Sequence, residues 1–162
     1  MLYFAYGSNM SAARIRARVE AVPLDGYFVL PGYRLVFNKK GRDDSAKANI
    51  IVESNSTVYG RVFQLSVEEK FALDQIEGDG YACEKVSLVN EQGNELAGYC
   101  YIAVDITNEM QPFDWYLTHI LTGALESSVP NCYIDKLSSV ATISDENVQR
   151  KAFELSVYSS TV

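Results

Sequence analysis

An apolar run at residues 2–5 breaks abruptly into Gly7, Ser8 and Asn9, and a helix-like pattern then occupies residues 11–18. A run of that length bounded by a turn predicts a short buried strand leading into a helix. Two strand-like stretches follow at 24–30 and 33–37, separated by the turn dipeptide Pro31-Gly32. Residues 38–47 are polar and mixed in sign, the composition of a surface loop or of a flap over a site. Residues 48–53 and 57–65 predict a hairpin turning at Ser54-Asn55-Ser56, and 81–90 with 95–104 predict a second one.

The helix signals lie between and after these strands. Ser66 and Glu69 form a capping box, and the helix it starts is expected to turn Val67, Phe71, Leu73 and Ile76 inward before Gly78 ends it. Gln111-Pro112 begins a helix to about residue 125, with proline at the first helical position. A short helix is predicted at 131–137. A last amphipathic one, capped by Ser144 or Asp145, runs to about 157, and residues 158–162 are expected to fray. No repeat, linker or composition shift divides the chain, so residues 1–162 form a single domain. The strand-rich stretch 23–104 with helices around it predicts a mixed, α+β architecture.

Composition narrows the chemistry. With 48% hydrophobic and 22% charged residues the chain is a globular protein, not a disordered one. A net charge of −7 argues against nucleic acid as a partner, since phosphate binding needs a basic face. Cys83, Cys100 and Cys132 are an odd count without CxxC spacing, which speaks against a disulfide framework or a thiolate metal site and fits the reducing cytoplasm. No basic leader precedes the first strand, and no apolar run approaches the roughly 18 residues a membrane helix needs. Arg14, Arg16 and Arg18 alternate with Ile15, Ala17 and Val19 and are read as a solvated helix face.

The usual catalytic constellations are missing. The single histidine, His119, lies within a helix and is read as structural or surface-lying. No nucleophile elbow and no glycine-rich nucleotide fingerprint occurs. The chemistry is therefore expected to run on carboxylates, tyrosines and backbone amides, with no cofactor and no metal. Two places invite it. Gly7, Ser8 and Asn9 at a helix entrance offer donors for a carboxylate or an oxyanion, unless Ser8 or Asn9 simply caps the helix. Glu77 sits on the last turn of its helix, at the negative end of the macrodipole, where a carboxylate is disfavoured by about 0.3–1 kcal/mol. Such local inconsistencies tend to mark working residues.

Taken together, Tyr3-Phe4-Ala5-Tyr6-Gly7-Ser8-Asn9, Val58-Tyr59-Gly60-Arg61-Val62 and Leu73-Asp74-Gln75-Ile76-Glu77-Gly78 followed by Tyr81 resemble the gamma-glutamylcyclotransferase family, of AIG2-like fold. The resemblance spans most of the chain and is weaker over 25–47 and the C-terminal tail. It implies a mainly antiparallel, barrel-like sheet with helices packed outside. It also implies a metal-free reaction: the α-amine of a γ-glutamyl amide attacks its own γ-carbonyl, forming 5-oxoproline and releasing the amine. Carried over by resemblance, Glu77 is the general acid/base, and Tyr3, Phe4, Ala5, Tyr6, Gly7, Ser8 and Asn9 form the substrate loop. Tyr81, Tyr101 and Tyr116 are placed against the substrate.

The bottom-up chemistry agrees. Nucleophile and electrophile share one molecule, so the protein must select the folded near-attack conformer. The ammonium must lose a proton, and burial among apolar neighbours at the helix end is expected to make Glu77 a better base. The Gly7 and Ser8 amides suit either the oxyanion or the substrate's α-carboxylate. Two other readings stand beside the cyclotransferase: a non-catalytic binder of a small carboxylate, and a hydrolase releasing glutamate. The expected partner is a small molecule, the choice of γ-glutamyl amide stays open, and so does the oligomeric state, a homodimer included.

Overall fold

The computed structural model describes residues 1–159. Its strands are β1 (Leu2–Ala5), β2 (Val22–Pro23), β3 (Phe28–Lys40), β4 (Ala46–Gln64), β5 (Tyr81–Asn90) and β6 (Glu95–Ala103). The helices are α1 (Ala12–Arg16), α2 (Val67–Glu77), α3 (Asp114–Glu126), α4 (Asn131–Ser138) and α5 (Val148–Leu155). The sheet runs β1-β6-β5-β3-β4 and closes on itself, because β1 also pairs with β4 from Leu2↔Gln64 to Ala5↔Arg61. Among the pairings of these strands only the β1–β6 contact at Tyr3↔Tyr99 is parallel. The result is a mainly antiparallel five-strand barrel, with β2 adding a short extension to β4.

Two predicted reversals are not reversals. The stretches at 24–30 and 33–37 belong largely to the single strand β3, and the predicted hairpin at 54–56 is the middle of the 19-residue strand β4. The register jumps between Pro31 and Tyr33, so that Pro31 faces Thr57 while Tyr33 faces Val52. Gly32, at φ 79°, sits opposite the extra residues of β4. The two turn-like sequences face each other as one bulge, which bends a strand pair instead of ending it. Residues 41–45 form the connection between β3 and β4, shorter than the polar stretch 38–47.

The helix boundaries follow local signals. Both halves of the Ser66–Glu69 capping box form, and α2 ends at Gly78 with φ 63°. Of the four residues expected to face inward, only Leu73 is buried; Val67 (65% exposed), Phe71 (66%) and Ile76 (46%) face solvent. α2 touches the barrel along a narrow seam, and polar ties do the rest. The Tyr101 hydroxyl donates to Asp74 Oδ1 (2.6 Å), and Lys70 Nζ donates to both Asp74 oxygens (2.8 and 2.7 Å). α3 starts at Asp114, two residues later than predicted. It buries Trp115, Tyr116, Leu117, His119, Ile120, Gly123 and Ala124. Ahead of α5, Asp145 binds Arg150 through two hydrogen bonds of 2.6 Å and accepts from Trp115 Nε1 (2.9 Å). The α5 cap itself is Asn147, not Ser144 or Asp145.

The end of the described chain is anchored where fraying was expected. The Tyr158 hydroxyl lies 2.7 Å from His119 Nδ1 and donates to Ser11 Oγ at 3.1 Å. The remainder of the stretch expected to fray, 160–162, lies outside the described residues. His119, on α3, is fully buried, in keeping with a structural role.

Candidate active site

The first strand delivers the opening loop to the barrel mouth. After Ala5 the chain makes a single 3-10 turn, Ser8–Met10, and Ser11 then caps α1 by accepting from the Arg14 N–H. Ser8 and Asn9 therefore do not cap the helix, and both are buried. α3 lies so close to this turn that a Cβ on Gly123 would stand 2.3 Å from the Met10 carbonyl carbon and 2.4 Å from the Ser11 nitrogen.

Glu77 comes to the same place from α2. Asn9 Nδ2 donates to Glu77 Oε1 at 2.9 Å and also reaches the Tyr3 hydroxyl at 3.1 Å. Arg18 Nη1 donates to Asn9 Oδ1 (2.9 Å) and to Glu77 Oε1 (3.2 Å). The side chain of Glu77 retains 14% exposure, so the carboxylate is largely withdrawn from water yet reachable. Its surroundings are polar, not the apolar neighbours expected from sequence. An amide and a guanidinium converge on one oxygen, while Oε2 has no hydrogen-bond partner among the described residues.

Around the carboxylate is a small pit of about 30 Å³, lined by Tyr3, Tyr6, Gly7, Ser8, Asn9, Ala48, Glu77, Tyr81, Tyr101 and Tyr116. Of the residues singled out in the sequence, the structure brings all but Phe4 and Ala5 to this pit. Those two are fully buried in the core. Burial pushes the hydroxyls of Tyr3, Tyr6, Tyr81, Tyr101 and Tyr116 above the usual tyrosine range, and the nearby Glu77 charge adds to this at Tyr3. All five stay protonated and act as hydrogen-bonding walls. Two of them grip the backbone of one residue from both sides: the Ala48 N–H donates to the Tyr116 hydroxyl (3.0 Å), and the Tyr81 hydroxyl donates to the Ala48 carbonyl (2.8 Å). Tyr6 donates to the Tyr101 carbonyl.

The sequence reading missed Arg18 and Ala48. Arg18 was assigned to a solvated face, yet only Arg16 of the three arginines is exposed. Arg14 pairs with Glu154, and Arg18 with Glu77. A usable signal existed: Arg14 and Arg18 are four apart and share a face, with Arg16 turned away. Nothing local marks Ala48, which lies on the wall only because β4 passes there.

Through Ser8, Glu77, Tyr81 and Tyr116 the pit opens into a wider basin of about 750 Å³. Lys47 crosses its floor, 2.7 Å from Asp43 and 4.8 Å from the ring centres of both Trp115 and Tyr116. Among the described residues no group of three or more His, Cys, Asp or Glu is placed to hold a metal ion, and no helix is long and apolar enough to cross a membrane.

The barrel is shared with known proteins. The model of the AIG2-like family matches residues 57–137, and the chain belongs to that family. It is similar to gamma-glutamylcyclotransferase of Homo sapiens, 27% identical over 147 residues that cover 86% of this chain and 78% of that one. The Bos taurus gamma-glutamylcyclotransferase is 29% identical over 149 residues, with the same coverage. A solved structure titled gamma-glutamyl cyclotransferase superposes with a TM-score of 0.81 at 25% identity, covering 92% of this chain and 95% of its own.

Proposed function

We propose that this protein is a metal-independent gamma-glutamylcyclotransferase, acting in the cytoplasm on a γ-glutamyl amide. The observation that carries the reading is the meeting of Glu77 with the Tyr6–Asn9 loop across a pit walled by protonated tyrosines. In the reaction, Glu77 takes a proton from the substrate's α-ammonium. The freed amine attacks the γ-carbonyl, forming the ring C–N bond. The tetrahedral intermediate collapses with cleavage of the original amide bond; Glu77 returns the proton to the departing amine, and the ring nitrogen gives up its second proton to that amine, which leaves as the ammonium. No outside nucleophile is needed, so the pit serves to select the folded substrate and exclude water.

The supporting residues divide the work. Asn9 and Arg18 hold Glu77 by Oε1, which leaves Oε2 to exchange the proton. The Gly7 and Ser8 amides border the pit and suit the developing oxyanion or the substrate's α-carboxylate. Tyr81 and Tyr116 fix the Ala48 wall opposite.

Incubation with γ-glutamyl-alanine and mass spectrometry of the products tests the reading. 5-Oxoproline with free alanine is expected. Glutamate in its place identifies a hydrolase. Failure to turn over any of a panel of γ-glutamyl amides, with ligand binding retained, identifies a binder.

A further inference from the structure

The pit has room for a water or two, so most of any substrate must lie in the basin outside it. That basin is unlike the rest of the molecule. The chain carries 21 acidic and 14 basic side chains, yet seven of the basic ones line this one basin. Four of those seven are already spent on carboxylates: Arg14 on Glu154, Arg18 on Glu77, Lys47 on Asp43 and Arg150 on Asp145. The other three, Lys39, Lys40 and Arg42, come from one run of chain at the end of β3 and in the loop after it. Among the described residues none of the three has a carboxylate within 4.0 Å.

Two of them lie beside the turn that leaves Glu77, Lys39 with its Nζ donating to the Lys40 carbonyl at 2.6 Å. Lys39 Nζ lies 5.4 Å from the centre of the Tyr81 ring, a wall of the pit, and 3.0 Å from where a Cβ on Gly80 would stand. Arg42 Nη2 lies 3.5 Å from the corresponding position on Gly78. The two cations thus flank the turn Gly78–Gly80 that leaves Glu77, one at each end. The missing side chains keep that approach open, since a Cβ at Gly80 would meet Lys39 Cε at 2.8 Å. The unpaired acids on the rim are Asp79 and Asp105, fewer than the unpaired cations.

We propose that Lys39 and Arg42 are specificity-determining residues that bind an anionic group on the amine half of the substrate. The preferred substrates are then γ-glutamyl amides whose released amine carries a further negative charge, as a side-chain carboxylate or a phosphate. This rests on the cyclotransferase reading, in which the γ-carbonyl lies at Glu77 and the amine half projects past the Gly78–Gly80 turn. In a chain of net charge −7 an anionic ligand meets repulsion from most of the surface, so unpaired cations beside the scissile bond decide its binding.

The test compares kcat/KM for γ-glutamyl-glutamate and γ-glutamyl-glutamine, a pair differing in one charge, with γ-glutamyl-phosphoethanolamine and γ-glutamyl-lysine completing the panel. The expected result is at least a tenfold preference for glutamate over glutamine, carried by KM and shrinking as salt is raised. Lys39→Gln with Arg42→Gln should bring that ratio toward one, and Arg42→Glu should shift preference toward the lysine amide. The phosphate arm then tells which anion fits best. Equal turnover of the glutamate and glutamine substrates overturns the proposal while leaving the cyclotransferase standing, as does a preference that survives the double variant. Absence of turnover across the whole panel overturns both.

Discussion

Asn9 and Glu77, 68 residues apart in sequence, are joined by a hydrogen bond of 2.9 Å from amide nitrogen to carboxylate oxygen. The bond ties the opening loop to the end of α2, and Arg18 braces it by donating to both partners. With Oε1 occupied in this way, Oε2 is the carboxylate oxygen left without a hydrogen-bond partner among the described residues.

Replacing Glu77 with Gln keeps an acceptor for Asn9 and Arg18 and removes the group that carries the proton. Turnover of γ-glutamyl-alanine is expected to fall by about 10²–10⁴, with the thermal midpoint near that of the wild type. An active Glu77→Gln enzyme would remove this residue from its role.

Arg18→Lys retains the charge and gives up the planar fork that reaches two acceptors at once. Hydrogen bonds to charged groups contribute about 1.5–3 kcal/mol, so kcat/KM should drop roughly 10- to 100-fold. Separate determination of kcat and KM shows whether the loss lies in catalysis or in binding. Wild-type kinetics would mean that the bracing is incidental.

How much of this was legible in the sequence depended on how local each signal is. The end of α2, and so the place of Glu77, is written into Ser66, Glu69 and Gly78, and all three behave as read. The strands from Tyr81 onward also follow their pattern. The Pro31-Gly32 and Ser54-Asn55-Ser56 segments misled because a bulge and a turn draw on the same residue types. Only strand pairing decides between them. Val67, Phe71 and Ile76 have helical spacing but meet no partner, since the neighbouring surface is supplied by distant parts of the chain. The barrel closure and Arg18 belong to the same class, tertiary facts with faint local traces.

Gly123→Ala tests the contact between α3 and the site loop. The added methyl would collide with Met10 and Ser11 backbone atoms, and overpacking of this kind costs about 1–3 kcal/mol. Urea unfolding should show that loss, and turnover should fall with it because the displaced turn carries Ser8 and Asn9. Unchanged stability would show that α3 yields freely.

His119 gives the fold a pH dependence. Burial lowers its pKa below the usual histidine value, despite the nearby Glu154, which raises it. The unfolded chain therefore binds a proton more readily than the folded one, and the stability involved is present above the unfolded pKa of about 6.5 and lost as pH falls below it. Chemical denaturation between pH 8 and pH 5 should show a decline on the acid side that His119→Gln reduces. An identical decline in the variant would assign it to other groups.

The closing strand of the barrel is also the strand that ends in the proposed substrate loop, held by β4 on one edge and β6 on the other. The seat and the seam are one object. The loop follows β1 directly and is packed against α3 at Gly123, so whatever parts the seam displaces the loop in the same event. Inactivation and loss of the native barrel should therefore arrive together rather than in sequence.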